Sequence, residues 1–370
     1  MAEVSNSVVH LTMRYDKTVL AIGTGVIYKR EDQHFIVTAW HNVTGLHPDT
    51  MKPVSAQAGV PNNLLVNVAL SAGQMGTFRM TFVLPLMNDE HALFYIHPLN
   101  WPRVDVVAIP FDPEAPHSVE IHASDGEQRT GMMPMSQTMA SGHSLSICPV
   151  QQYLVPDENV IQEWFENVDV TDELFIPGYP QNVQDYYSQP VWKRATVASS
   201  VQNGWNNEPK FMIDSASKKG MSGSPVFYYN PSGRIHIKQA TYFFSPGVAI
   251  LAGIYVGRLG VTAQEDPQIG TVWHRSVIDE IIDGKCFERL PAEIELPLRE
   301  LVQVATNSLG TISRQGLENI NNPEKPSRIY VRNELLKRVC ARASPERALE
   351  AVLEAASNYN GPFQPDEGPE

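Results

Sequence analysis

The chain has 370 residues, 42% of them hydrophobic and 19% charged. This balance excludes whole-chain disorder and leaves room for one large or two modest domains with a tail. A formal net charge of −13 makes a poor grip on nucleic acid phosphates or an anionic membrane surface, so neither is expected as a partner.

No run of 18 apolar residues marks a transmembrane helix. The N-terminal MAEVSNSVVHLTMRYDK lacks a basic start, an apolar run and a small-residue cleavage site, so no secretory signal is expected. The three cysteines, Cys148, Cys286 and Cys340, form neither a disulfide framework nor a zinc pattern. Together these features predict a cytoplasmic protein.

From residue 18 to about 112 the chain reads as short strands. Thr18–Ile22, Gly25–Tyr28, Phe35–Thr38, Phe78–Val83 and Val104–Ile109 are rich in β-branched and aromatic residues. The polar run Lys29–Gln33 reads as a hairpin connection. Residues 113–171 are less regular and are expected to form an interbarrel linker or insertion.

Strand patterns return at Glu173–Ile176, Ala195–Ala198, Lys210–Ile213, Pro225–Tyr229, Arg234–Ile237 and Val248–Val256. Asn230–Gly233 reads as a hairpin turn. Many short strands with regular turns predict an all-β barrel or sandwich. Val277, Ile278, Ile281 and Ile282 then share one face of a helix expected over Val272–Ile282, with Gly284 as its stop. Ser344 and Pro345 suit the start of a further helix that carries Leu349, Val352 and Leu353. The Pro/Gly/acid-rich end, Asn358–Glu370, predicts disorder. The expected divisions are 1–112, 113–171, 172–286 and a helical extension at 287–370.

Three local motifs carry chemistry. Thr38–Ala39–Trp40–His41–Asn42–Val43 follows a strand. Val104–Asp105–Val106–Val107–Ala108 is an apolar run with one carboxylate. Gly220–Met221–Ser222–Gly223–Ser224–Pro225 is a glycine-bearing turn before a strand. A serine hydroxyl needs an adjacent base to act as a nucleophile. His41 titrates near neutrality and suits that role. Asp105 suits the task of orienting the imidazole and stabilising its charged form. Gly220 and Gly223 permit a tight turn that aims the Gly220 and Ser222 amides at one point, as an oxyanion hole requires. Each motif alone has a bland reading as a turn, a surface histidine or a backbone-capping carboxylate. Their conjunction in the order His, Asp, Ser is the informative feature.

The chain resembles the trypsin-like (chymotrypsin-fold) serine peptidases, of the bacterial Htr-like type. Gly23–Thr24–Gly25–Val26, Gly178–Tyr179–Pro180, Ile213–Asp214–Ser215–Ala216 and Gly253–Ile254–Tyr255–Val256–Gly257 extend the match over residues 18–284. The resemblance implies two six-stranded antiparallel β-barrels with a cleft between them. His41 and Asp105 come from the first barrel and Ser222 from the second. It implies a serine endopeptidase that forms an acyl-enzyme on protein or peptide substrates and needs no cofactor or metal. Met221 stands where digestive relatives carry the aspartate that pairs with a new N-terminus, so that activation switch is not expected. No PDZ-like domain is recognisable.

The resemblance puts the pocket base six residues before Ser222, where Ala216 offers no charge. With Tyr255 and Gly257 on the substrate strand, it predicts a small or apolar residue before the scissile bond. His34, His91, His97 and His143 show no metal-ligand spacing. Cys148 and Cys286 read as small core hydrophobes, and Trp101, Trp164, Trp192 and Trp273 as packing anchors. Alternative readings are a catalytically silent protease fold used for binding, or an effector activated by a partner at the C-terminal extension.

Overall fold

The computed structural model describes residues 3–48, 53–54, 59–88, 91–98, 104–122, 128–138, 144–206, 208–259, 268–288, 298–310, 312, 314–321, 335–336 and 345–362. Trp101, His143, Cys340, Ser344 and the end beyond residue 362 lie outside the described residues.

The N-terminal half is built on β1 (Val8–Tyr15), β2 (Thr18–Arg30), β3 (Gln33–Thr38), β4 (Asn63–Ser71), β5 (Thr77–Pro85), β6 (Tyr95–Ile96) and β7 (Val107–Phe111). β8 (His117–His122), β9 (Gln128–Met133), β10 (Gln137–Thr138) and β11 (Ser144–Ile147) extend it. The second half contains β12 (Glu173–Gly178), β13 (Val191–Val197), β14 (Lys210–Asp214), β15 (Ser224–Asn230), β16 (Arg234–Ile237), β17 (Ala240–Phe243), β18 (Val248–Arg258) and β19 (Ile269–His274). β20 (Cys286–Phe287) returns to the first sheet beside β6. The helices are α1 (Trp40–Thr44), α2 (Glu158–Asn167), α3 (Ser276–Gly284), α4 (Leu298–Leu309), α5 (Arg314–Asn321) and α6 (Pro345–Asn358).

The second half closes as expected. β12, β13, β14, β19, β18 and β15 form a six-stranded antiparallel barrel. The first half is a twelve-stranded open sheet, ordered β20-β6-β7-β3-β2-β1-β4-β5-β8-β9, with β11 against β4 and β10 against β11. It is therefore larger than the six strands implied by the resemblance. β1 and β4 supply central strands that lie outside the segments read as strands from sequence. In β4, Leu64, Val66, Val68 and Leu70 alternate inward, and Leu64 and Val66 face Leu84 and Phe82 of β5 across the ladder.

Residues 113–171, expected as a linker, contribute β8 to β11 to this sheet and then α2. The Asp157 carboxylate caps α2 by accepting from the Asn159 and Val160 amides. The apolar face of α2, with Val160, Ile161 and Trp164, joins the barrel core. Two smaller differences concern chain direction. Asn230–Gly233 is a turn, but it leads into a separate two-stranded hairpin of β16 and β17. The helix expected over Val272–Ile282 begins at Ser276, because residues up to His274 pair in β19.

Three apolar clusters hold the chain together. One fills the barrel. A second joins the N-terminal sheet, the barrel and α3 through Val26, Phe35, Phe227, Leu251, Trp273 and Ile281. This shared core fixes the two halves against each other. The third lies on the N-terminal sheet and includes Leu301, Ala305, Val352 and Ala356 of the C-terminal helices. Leu301→Ala is accordingly expected to destabilise the full chain by about 2–5 kcal/mol in denaturant unfolding. A change below about 0.5 kcal/mol, the range of ordinary surface substitutions, would show that α4 contributes no core.

Candidate active site

His41 sits in the first turn of α1, directly after β3. Asp105 occupies a bend two residues before β7, because the strand expected over Val104–Ile109 begins only at Val107. β3 and β7 pair with Thr38 opposite Val107, so the ladder brings the two motifs together. Asp105 Oδ1 accepts from the His41 backbone amide at 3.0 Å. The imidazole Nδ1 lies 2.8 Å from Asp105 Oδ2 and 3.0 Å from Oδ1. The carboxylate is almost fully buried and the imidazole mostly so. An Nδ1–H donating to the carboxylate leaves Nε2 as the acceptor.

Burial disfavours the charged imidazole. The Asp105 charge and its hydrogen bond together outweigh this and raise the His41 pKa above its ordinary 6.5. A base must be neutral to accept a proton. Activity is therefore expected to rise with pH along an acid limb centred above 6.5. The stability linkage runs the other way. The native state holds this proton more tightly than the unfolded chain, so the contribution is complete below about pH 6.5 and is lost as pH rises through the native pKa. A kcat/KM profile with its acid limb below 6 would contradict the raised value.

Ser222 enters from the other half, in the turn before β15. Gly220 and Gly223 have φ of +93° and +89°, conformations that glycine adopts without a Cβ penalty. Space demands glycine as well. A Cβ at Gly223 would overlap the Thr24 carbonyl oxygen and Thr38 Oγ1, and one at Gly220 would overlap the Tyr179 carbonyl oxygen. The turn is thus pressed against the middle of β2 and the end of β3, next to α1. The Ser222 carbonyl accepts from the Thr24 amide at 2.9 Å and from Asn42 Nδ2 at 3.0 Å. Thr24 Oγ1 donates to the Gly220 carbonyl at 2.7 Å. Asn42 belongs to α1, so one side chain ties the histidine helix to the serine turn.

Ser222 Oγ donates to the Val256 carbonyl at 3.1 Å. No hydrogen bond joins it to His41 among the described residues. The Gly220 and Ser222 amides donate to no acceptor among the described residues. Met221 is fully buried in the barrel core, which accounts for an apolar residue there.

His41, Asp105, Ser222, Tyr255 and Gly257 line one cleft of about 440 Å³. The Tyr255 ring is buried, and its hydroxyl pairs with Ser217 Oγ. Gly257 faces open space. Ala216 lies outside the cleft lining; it is exposed, and its carbonyl accepts from Lys193 Nζ. Sequence reasoning missed Ser217, Lys210, Met212, Thr271 and Arg258 as neighbours of the site. Lys210 pairs in register with Trp273, and Met212 with Thr271, so period-two alternation puts all four on one face of the barrel. Only the β14–β19 pairing reveals this. Trp273, expected as a packing anchor, is buried in the shared core and also lines the cleft, with Lys210 Nζ 5.0 Å from its ring centroid.

The site is also tied to the C-terminal extension. Trp40, adjacent to His41, donates its indole N–H to Glu288 at 2.6 Å.

A closed antiparallel barrel docked on a large β-sheet, with a His–Asp pair on the sheet and a glycine-flanked serine on the barrel, is the arrangement of a trypsin-like serine peptidase fold. No protein-family model and no curated protein matches the sequence. The chain is similar to solved structures of serine proteases. Rv3671c protease in its inactive form matches at 14% identity, over 76% of this chain and 90% of that one, with a TM-score of 0.32. A serine-to-alanine mutant of Rv3671c from M. tuberculosis H37Rv, also inactive, matches at 12% over 76% and 87%, with a TM-score of 0.33. The serine endoprotease from Yersinia pestis matches at 11% over 75% of this chain and 62% of that one, with a TM-score of 0.34. Likenesses this remote assign no residue a role, so the chemistry rests on the geometry of this chain.

Proposed function

We propose that the protein is a serine endopeptidase in which Ser222 is the nucleophile, His41 the general base and Asp105 the group that orients and stabilises the imidazole. The observation that carries this reading is the buried Asp105–His41 contact at 2.8 Å, in one cleft with Ser222. For turnover, the Ser222 hydroxyl leaves the Val256 carbonyl and donates to His41 Nε2. Catalytic hydrogen bonds are commonly long without substrate and tighten in the complex. The oxygen attacks the peptide carbonyl as His41 takes its proton. The Gly220 and Ser222 amides are the donors for the oxyanion that develops. His41 then protonates the leaving amine, and water hydrolyses the acyl-enzyme by the same route reversed.

The test is a fluorescent fluorophosphonate with peptide mapping. A single adduct on Ser222 is expected, with casein or peptide cleavage in the same preparation. Absence of an adduct on folded protein would overturn the reading in favour of a silent, ligand-binding protease fold. Among the described residues no helix is long and apolar enough to cross a membrane. A cytoplasmic setting is part of the proposal and is tested by fractionation.

A further inference from the structure

The charge of the cleft opposes the charge of the chain. The whole protein carries −13. Yet Lys210, Lys218, Lys219 and Arg258 line the cleft beside His41 and Ser222, and Asp105 is the single carboxylate among its described lining residues. Asp105 is engaged by His41. Lys210 is compensated by an ion pair with the buried Glu208. Lys218 and Lys219 are exposed and form no ion pair among the described residues. They directly precede Gly220, so the uncompensated charge is built into the segment that presents the nucleophile.

Long-range repulsion from a net negative chain is screened beyond about 8–10 Å at ordinary ionic strength, whereas charges lining a cleft act within that distance. The local field therefore decides which segment enters. From this lining we infer that the cleft takes acidic peptide segments, with Asp or Glu side chains flanking the scissile bond and met by Lys218 and Lys219. The inference rests on the peptidase reading and specifies its substrate class. It is compatible with a small residue immediately before the scissile bond, since the lysines are offered to flanking positions.

The test uses the full-length chain and peptides that hold alanine before the scissile bond and vary the flanking residues among Glu, Gln and Lys. Exposed ion pairs each contribute modestly, so two lysines together predict a Glu-over-Lys preference in kcat/KM of about tenfold. That preference should approach unity in the Lys218→Gln/Lys219→Gln variant and invert in the Lys218→Glu/Lys219→Glu variant. It should also fall at about 1 M salt, where the Debye length is near 3 Å. Lys218→Gln/Lys219→Gln provides a milder pair should the reversal lower the melting temperature.

The same peptides, fluorescein-labelled, are titrated into Ser222→Ala protein, where binding is read without turnover. Tighter binding of the Glu series upholds the inference even if the wild type neither labels nor cleaves, which is how failure of the peptidase reading would show itself. Equal or tighter binding of the Lys series would overturn it. So would a preference that the lysine variants leave unchanged, or a loss of kcat that is uniform across all three series.

Discussion

Ser222→Ala is expected to lower kcat by about 10⁶-fold, the scale seen when a triad loses its nucleophile. Without Oγ, His41 has only water to activate, and the acyl-enzyme cannot form. What remains is the contribution of bound geometry and the oxyanion donors, about 10³–10⁴ over the uncatalysed rate. The substitution is structurally mild. Among the described residues Ser222 Oγ makes one hydrogen bond, to the Val256 carbonyl, and its loss costs about 1 kcal/mol. The turn itself is held by the Ser222 carbonyl, which alanine retains. The expected result is thus an inactive protein with a nearly unchanged melting temperature and no fluorophosphonate adduct. Retained turnover above a hundredth of wild type would place the nucleophile elsewhere.

Asp105→Asn is expected to cost about 10⁴-fold in kcat, for a different reason. The carboxylate offers only acceptors, so it selects the tautomer with a proton on Nδ1. An amide at the same place can offer N–H to Nδ1, which leaves Nε2 protonated and unable to accept from Ser222. The same substitution removes the charge and the hydrogen bond that outweigh burial at His41. Desolvation then dominates, and the imidazole pKa falls. Residual activity should therefore show an acid limb displaced to lower pH than in the wild type. A purely structural role for Asp105 would lower the rate without moving that limb. The pH profile of the variant, measured beside its melting curve, separates the two cases.

The chemical groups were legible in the sequence because each needs a particular residue type in a particular local setting. An imidazole after a strand, one carboxylate in an apolar run and a serine between glycines are short-range patterns. The turn around Ser222 is legible for a steric reason, since positive φ and close backbone approach at Gly220 and Gly223 require the absence of a Cβ. The all-β character was legible from strand patterns and turn spacing, whereas the closed barrel was implied by the family resemblance. β1 carried the same signal, with Val9, Leu11 and Met13 on one face, although it lies ahead of the segments read as strands.

Other features depend on partners distant in sequence. The strand HSVEIH of β8 is too polar to announce itself, and it forms because β5 and β9 complete its hydrogen bonds. The size of the N-terminal sheet follows from such edge pairings, including that of β20 with β6 some 190 residues earlier. The cleft was likewise decided by tertiary structure. Pairing of β14 with β19 sets Lys210 and Met212 beside Thr271 and Trp273, and the shared core brings that surface to His41. Residue identity determined which reactions the chain's groups can support. Strand pairing and burial decided which groups meet, because hydrogen bonds and apolar contacts between remote segments leave no local pattern to read.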